Sequence, residues 1–267
     1  MKQKKNNYIS QVYHLGLQLF PICRSITGNG VRESLRLIKR HLPNLKISEV
    51  KSGTKAFDWI IPPEWNIKDA YVKDQAGNKI INFKKNNLHI VNYSIPFKGS
   101  INKTELFKRT HTTEKMKNAI PYVTSYYRKY WGFCISHNNK KKLEKKYKKL
   151  SKKKKYFKVQ IDTSLNKKGS LTYGELLIKG KSEKEILITT YICHPSMANN
   201  ELSGPLVATA LAKRFSKEKN NFSLRFVFVP ETVGAIAYIK KNLSNLKRKV
   251  FAGYSITRIG DERKYSF

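Results

Sequence analysis

The sequence predicts an α/β protein: a mostly parallel sheet covered by helices on both faces, interrupted by a smaller β-rich inserted domain. Three observations carry that prediction. From Glu185 onward, apolar strand-like runs alternate with helical ones, in the order "EILITTYI", "GPLVATALAKRFSK", "FSLRFVFVP", "VGAIAYIKKNL" and "KVFAGYSITRI". Strands separated by helices of that length need crossover connections, which are right-handed and lay helices on a parallel sheet. Between Lys55 and about His137 the texture changes to short β-rich runs cut by Gly, Asn, Pro and Lys. Finally, 267 residues with 40% hydrophobic content suffice for one large core and a smaller companion.

Each element follows in order. Between Tyr8 and Phe20 the residues Ile9, Val12, Tyr13, Leu17 and Phe20 recur at helical spacing, and a second periodic run, Val31 to Leu42, follows "SITGNG". Two helices joined by a Gly-rich turn are expected in 1–54. Over 55–137 the runs "DAYVKD", "KIINFKK", "LHIVNYSIPF" and "YVTSYYRKYWGFCIS" read as a compact, mostly antiparallel β domain. Residues 138–158, "NNKKKLEKKYKKLSKKKKYFK", form a Lys-rich connector that, if helical, sets Leu143, Tyr147 and Leu150 on one face. Strand-like "FKVQIDTSL" and "GSLTYGELLIKG" then lead into the alternating region 159–267.

Lys plus Arg reach 54 against 18 Asp plus Glu, a net charge of +36, which invites a nucleic-acid or anionic-surface partner. The charge is mostly Lys, however, and it is spread along the whole chain. The connector also lacks the arginines and repeated aromatics of an RNA-binding surface. A solvated Lys-rich surface is the better reading, and nucleic acid is not the expected partner. Cys23, Cys134 and Cys193 form no CxxC pair and no even framework, which fits a reducing cytoplasm. The amino-terminal "MKQKKNNYISQVYHLGLQLFPICRS" is broken by Gln11, His14 and Gln18, so it reads as an amphipathic helix and not a leader. No stretch approaches the roughly 18 apolar residues of a membrane span.

The chemistry is expected around "ICHPSMANNELSGP", Ile192 to Pro205. In an open parallel sheet, ligands gather outside the carboxyl ends of the strands. His194, Glu231 in "PETVG" and Asp261 in "GDE" each follow such an end, and imidazole with carboxylates suits zinc or a similar divalent ion. Pro195 favours an extended His194, and Ser203 is placed to cap the next helix. Each residue also has a plain structural explanation as a turn, cap or hydrogen-bonded residue. No GxSxG, Walker or GxGxxG motif is present. Cys193 is set aside as a nucleophile, because neighbours on a strand point to opposite faces.

At these residues the sequence resembles the bacterial aminopeptidase-like-domain family, relatives of zinc-dependent exopeptidases that carry an inserted β-rich domain. The resemblance spans nearly the whole chain, through "RSITGNGVRESL", "DWIIPPEWNIKDAYV", "LHIVNYS", "IPYVTSYYRKYWGFCISH", "GSLTYGELLIKG", "CHPSMANNELSGP" and "PETVGAIAYI". It implies a zinc-exopeptidase-like three-layer sandwich, one or two zinc ions, and hydrolysis of a peptide or amide bond. It also implies metal ligation by His194 and Asp261, with Glu231 as general base. Arg24, His137, Tyr126, Tyr127 and Trp131 match family signatures of unassigned role. Where the exopeptidases place a bridging Asp, this chain has Asn200, with Glu201 beside it. Either Glu201 substitutes, or one metal binds, or the site is not a peptidase site. Family members run past the equivalent of Phe267 to a last metal histidine, so a carboxy-terminally shortened chain is expected. A non-catalytic scaffold that retains the fold, and a nucleic-acid binder using 138–158, are the rival readings.

Overall fold

The computed structural model describes residues 2–262, with side chains from Ser10 onward. Two compact units form, one from both ends of the chain, up to Glu64 and from Lys167, and one from Trp65–Asn166. In chain order the main elements are α1 (Lys2–Leu19), α2 (Asn29–His41), β1 (Lys46–Lys51), β2 (Glu64–Lys73), β3 (Lys79–Asn82), β4 (Phe97–Ile101), α3 (Lys103–Lys108), α4 (His137–Lys146) and β5 (Phe157–Asn166). They continue with β6 (Ser170–Ile178), β7 (Ser182–Tyr191), α5 (Ser203–Phe215), β8 (Phe222–Val229), α6 (Val233–Lys249) and β9 (Val250–Ser255).

The first unit is built on a mixed five-stranded sheet of order β1-β6-β8-β7-β9. β8 and β9 run parallel to β7, as the helical crossovers through α5 and α6 require. β6 runs antiparallel to β8, and β1 antiparallel to β6. The reversal comes from the short link between β6 and β7, where a Cβ on Gly180 would stand 2.3 Å from the Phe222 carbonyl oxygen. Only glycine lets the link pass so close to the start of β8. Alternation along β8 then separates the two faces. Leu224, Phe226 and Phe228 join Leu15 and Leu19 of α1, Val31, Leu35 and Ile38 of α2, and Ala208 and Ala212 of α5 in one core. On the other face Tyr238 of α6 packs edge-on to Tyr173, and the buried Arg225 is held by Glu185 (2.6 and 2.9 Å) and Glu175 (2.9 Å). A helix layer on each face of the sheet completes the three-layer α/β fold.

In α1 the buried stripe is not the one the periodicity picks. Leu15 and Leu19 are buried, whereas Tyr13, Leu17 and Phe20 are exposed and line an apolar groove of about 390 Å³ together with Leu202, Leu206 and Ile259. Two apolar stripes share this helix, and the one with two leucines four apart faces α2 and the sheet. Ile9 lies outside the residues whose side chains are described.

The second unit centres on a four-stranded sheet of order β3-β2-β5-β4, with β2–β3 and β4–β5 antiparallel. Phe157, Val159, Ile161 and Thr163 of β5 alternate inward, so this strand belongs to the second unit and the chain returns to the first at Lys167. "YVTSYYRKYWGFCIS" is mostly irregular; Phe133–Cys134 pairs with Thr110–His111, and isolated bridges join Thr124 to Asn92 and Phe133 to Ile90. α4 starts at Ser136, whose Oγ accepts from the Asn139 amide (3.2 Å). Beyond its end Tyr147 is buried, with Leu143 and Leu150 half-buried, so the apolar face of the Lys run is spent on its own unit. Among the described residues, no helix is long and apolar enough to cross a membrane.

Candidate functional site

β7 ends at Tyr191, and the chain runs through Ile192, Cys193 and His194 before a single wide turn, Ala198–Leu202, opens α5. Such π-type turns swing a side chain out of ordinary helical register. Here the turn delivers Glu201 inward, where it is fully buried. From the end of β8, Glu231 reaches the same place; the next residue, Thr232, adopts φ 58°, a left-handed conformation that turns the chain sharply into α6.

The two carboxylates converge on one imidazole. His194 Nδ1 stands 2.7 Å from Glu201 Oε2, and the other Glu201 oxygen accepts from the Cys193 amide. On the opposite side of the ring, His194 Nε2 stands 3.4 Å from Glu231 Oε2. His194 is almost fully buried, whereas the Glu231 side chain is 46% exposed, so this pair is the open side of the site. Tyr191 packs edge-on against the ring at 5.9 Å. Burial raises the Glu201 carboxyl above its ordinary value, against the pull of His194 and the nearby Arg24 guanidinium.

Cys193 and His194 do touch, with Sγ 3.4 Å from Nδ1, because the strand ends before them and the alternation that would separate them has lapsed. The Sγ also accepts from the Glu231 amide (3.2 Å). Burial pushes the Cys193 thiol well above its ordinary range, so it is a packed thiol and not a nucleophilic thiolate.

The remaining sequence-predicted residues make other hydrogen bonds. With its amide turned so that the oxygen faces the guanidinium, Asn200 accepts from Arg258 Nε (3.0 Å) and Nη2 (3.2 Å). Asp261 Oδ2 accepts from Asn199 Nδ2 (2.7 Å), while Asn199 Oδ1 accepts from the Gly260 amide (2.7 Å). Ser203 is the first residue of α5 and not its cap; its hydroxyl donates to Asn199 O (2.6 Å) and accepts from the Ile259 amide (3.0 Å). Asn199 and Ser203 thus pin the segment after β9 against the turn. Sequence reasoning left Arg24 without a role; it is fully buried and donates from Nε to the His194 carbonyl (3.0 Å). Its only signal was its place in a motif, "RSITGNG".

Among the described residues, Cys193, His194 and Glu201 have donor atoms within 4.8 Å of one another. The spacings separate hydrogen bonding from ligation. Two donors at about 2.0–2.1 Å on a tetrahedral zinc stand about 3.3 Å apart. The 2.7 Å from Nδ1 to Glu201 is too short for that and is a direct hydrogen bond. The 3.4 Å from Nε2 to Glu231 matches it. A carboxylate on Nδ1 with Nε2 turned outward is the arrangement in which a metal-ligating histidine is held. His194 Nε2 and Glu231 Oε2 are thus two donors at the spacing a zinc ion would need.

Comparison with known proteins agrees with the fold. A Clostridium acetobutylicum protein named for polysaccharide biosynthesis and an aminopeptidase-like domain is 49% identical over 252 residues, 94% of this chain and 55% of its own. A crystal structure of a candidate peptidase from Clostridium acetobutylicum superposes with a TM-score of 0.88 at 47% identity, covering 98% of this chain and 60% of that one. The chain therefore spans about 55–60% of the length of these relatives. A zinc aminopeptidase from Bacillus subtilis shares the fold alone, at TM-score 0.60 and 12% identity, over 95% of this chain and 69% of that one. The fold is thus peptidase-like, and the sequence family covers residues 13–267. This chain belongs to the family described as Domain of unknown function (DUF4910).

Proposed function

We propose that this chain carries the metal-holding centre of a zinc-dependent, aminopeptidase-like hydrolase acting on a peptide or amide bond of a small substrate. The observation that carries the reading is the outward pair, His194 Nε2 and Glu231 Oε2, at ligand spacing beside a His194 Nδ1 locked by Glu201. Bound zinc supplies a Lewis acid and lowers the pKa of water. The chain's own residues do the rest. Glu201 keeps the proton on Nδ1, so the Nε2 lone pair faces outward. Glu231 offers Oε2 at ligand spacing, and its second oxygen is the acceptor for a proton from the reacting water, the general-base role. Asn200 is a neutral amide directed at Arg258, a poor bridge to a second ion, and Asp261 Oδ2 is turned to Asn199. One zinc, not two, is the reading these contacts favour. The three cysteines are all free, which suits a reducing compartment such as the cytoplasm.

Metal analysis of the purified protein tests this. Zinc at about one equivalent is expected, falling sharply in His194→Ala and Glu231→Gln with the fold retained by circular dichroism. Protein that neither carries nor takes up zinc points instead to a scaffold that keeps the fold without the chemistry.

A further inference from the structure

We infer that Arg24 is a positioning residue that fixes the aim of the His194 ring from below, through the backbone; the inference rests on the metal-site reading above. The guanidinium is fully buried and reaches across 170 positions of sequence to donate from Nε to the His194 carbonyl (3.0 Å). Its Nη1 donates to Leu19 O (2.5 Å), an end carbonyl of α1, and lies 3.5 Å from Ser34 Oγ in α2. One planar fork therefore ties two helices of the core to the peptide that carries the imidazole. Charge-assisted hydrogen bonds of this kind are the stronger and more directional sort.

The surrounding motif is shaped to put Arg24 there. Gly28 adopts φ 97°, and a Cβ on Gly30 would stand 2.1 Å from the Cys23 carbonyl oxygen, so "RSITGNG" folds back tightly on itself. Within that turn Arg24 is directed inward and fully buried. Taking a guanidinium out of water is costly, and burial pulls its pKa below the ordinary value while Glu201 opposes that pull. A hydrophobic residue would fill the same space without that cost. What it cannot do is donate to the His194 carbonyl, which lies beyond the end of β7.

The test uses the whole chain with Arg24→Lys, which keeps the charge but loses the fork, and Arg24→Gln, which is neutral and keeps an N–H donor. Loss of an outer partner of a metal histidine is expected to weaken Co²⁺ binding by about 10–100-fold. In metal-free protein labelled with ¹⁵N, the ring signals of His194 should move while those of the other five histidines stay, out of six in all. Lower melting temperatures with unchanged cobalt affinity and unchanged His194 signals would make Arg24 merely structural and overturn the inference. If the wild type takes up no Co²⁺, the metal reading fails, yet the imidazole signals still decide the role of Arg24. If neither variant folds, the wild type decides: the Arg24 Nε–H should exchange far more slowly than surface arginines, and fast exchange sinks the inference.

Discussion

Glu201 decides which nitrogen of His194 is available. As a carboxylate it only accepts, so the ring proton must sit on Nδ1 and the lone pair on Nε2. Replacing it by glutamine keeps the size but introduces an amide that can donate to Nδ1, which drives the proton to Nε2, facing Glu231. Glu201→Gln is therefore expected to lower zinc affinity by about 10–100-fold, measured by competition with a chromophoric chelator, with little change in the far-ultraviolet spectrum. An unchanged affinity would mean that Glu201 is not the group that sets the tautomer. The sequence made His194 and Glu231 legible, since both follow strand ends in an alternating α/β pattern. It could not sort their neighbours. Asn200 and Glu201 are adjacent, yet the wide turn sends one to Arg258 and the other into the core, and no residue pattern announces that turn.

In α1, two apolar stripes compete for one core, and composition does not choose between them. Leu15 is buried among α2, α5 and the sheet, whereas Leu17 is 54% exposed. Leu15→Ala should cost about 2–5 kcal/mol by chemical denaturation, and Leu17→Ala less than about 0.5 kcal/mol; equal losses would contradict the rotation of the helix described above. The antiparallel course of β6 was equally hidden, because "GSLTYGELLIKG" looks the same whichever way its neighbours run. It is settled by the three-residue link at Gly180.

In the second unit, the turn after β2 is tied to the end of α4 by Asp74. Burial works to raise this carboxyl, but hydrogen bonds from Tyr147 Oη (2.9 Å), the Asn78 amide (2.9 Å) and Lys146 (3.3 Å) outweigh it and hold its pKa below the ordinary value. A carboxylate with a depressed pKa stabilises the fold fully above its unfolded pKa of about 3.9, and that contribution is lost as pH falls through the folded value. Asp74→Asn should accordingly lower stability at neutral pH and flatten the acid limb below about pH 4. Thermal melts of the two proteins from pH 7 to pH 2 check the sign; parallel curves would remove Asp74 from the acid response.

A net charge of +36 bears on the proposed metal site from a distance. Glu231 and Glu201 attract a divalent cation locally, but the ion must first approach through the field of 54 basic residues against 18 acidic ones. That field extends about 30 Å at 0.01 M salt and about 8 Å at 0.15 M. Added salt therefore removes the long-range repulsion while leaving the two buried or half-buried carboxylates nearly unscreened. Cobalt loading, followed by stopped-flow absorbance with a non-coordinating salt, should become faster as ionic strength rises over that range. The ordinary expectation for an acidic metal site is the reverse. A rate that falls with salt would show that the local carboxylates outweigh the surface charge. If the chain acts on peptides as proposed, the same field favours substrates bearing negative charge, so an acidic peptide should bind more tightly than its amidated counterpart at low salt and lose that advantage near 0.15 M, where the field no longer reaches beyond about 8 Å.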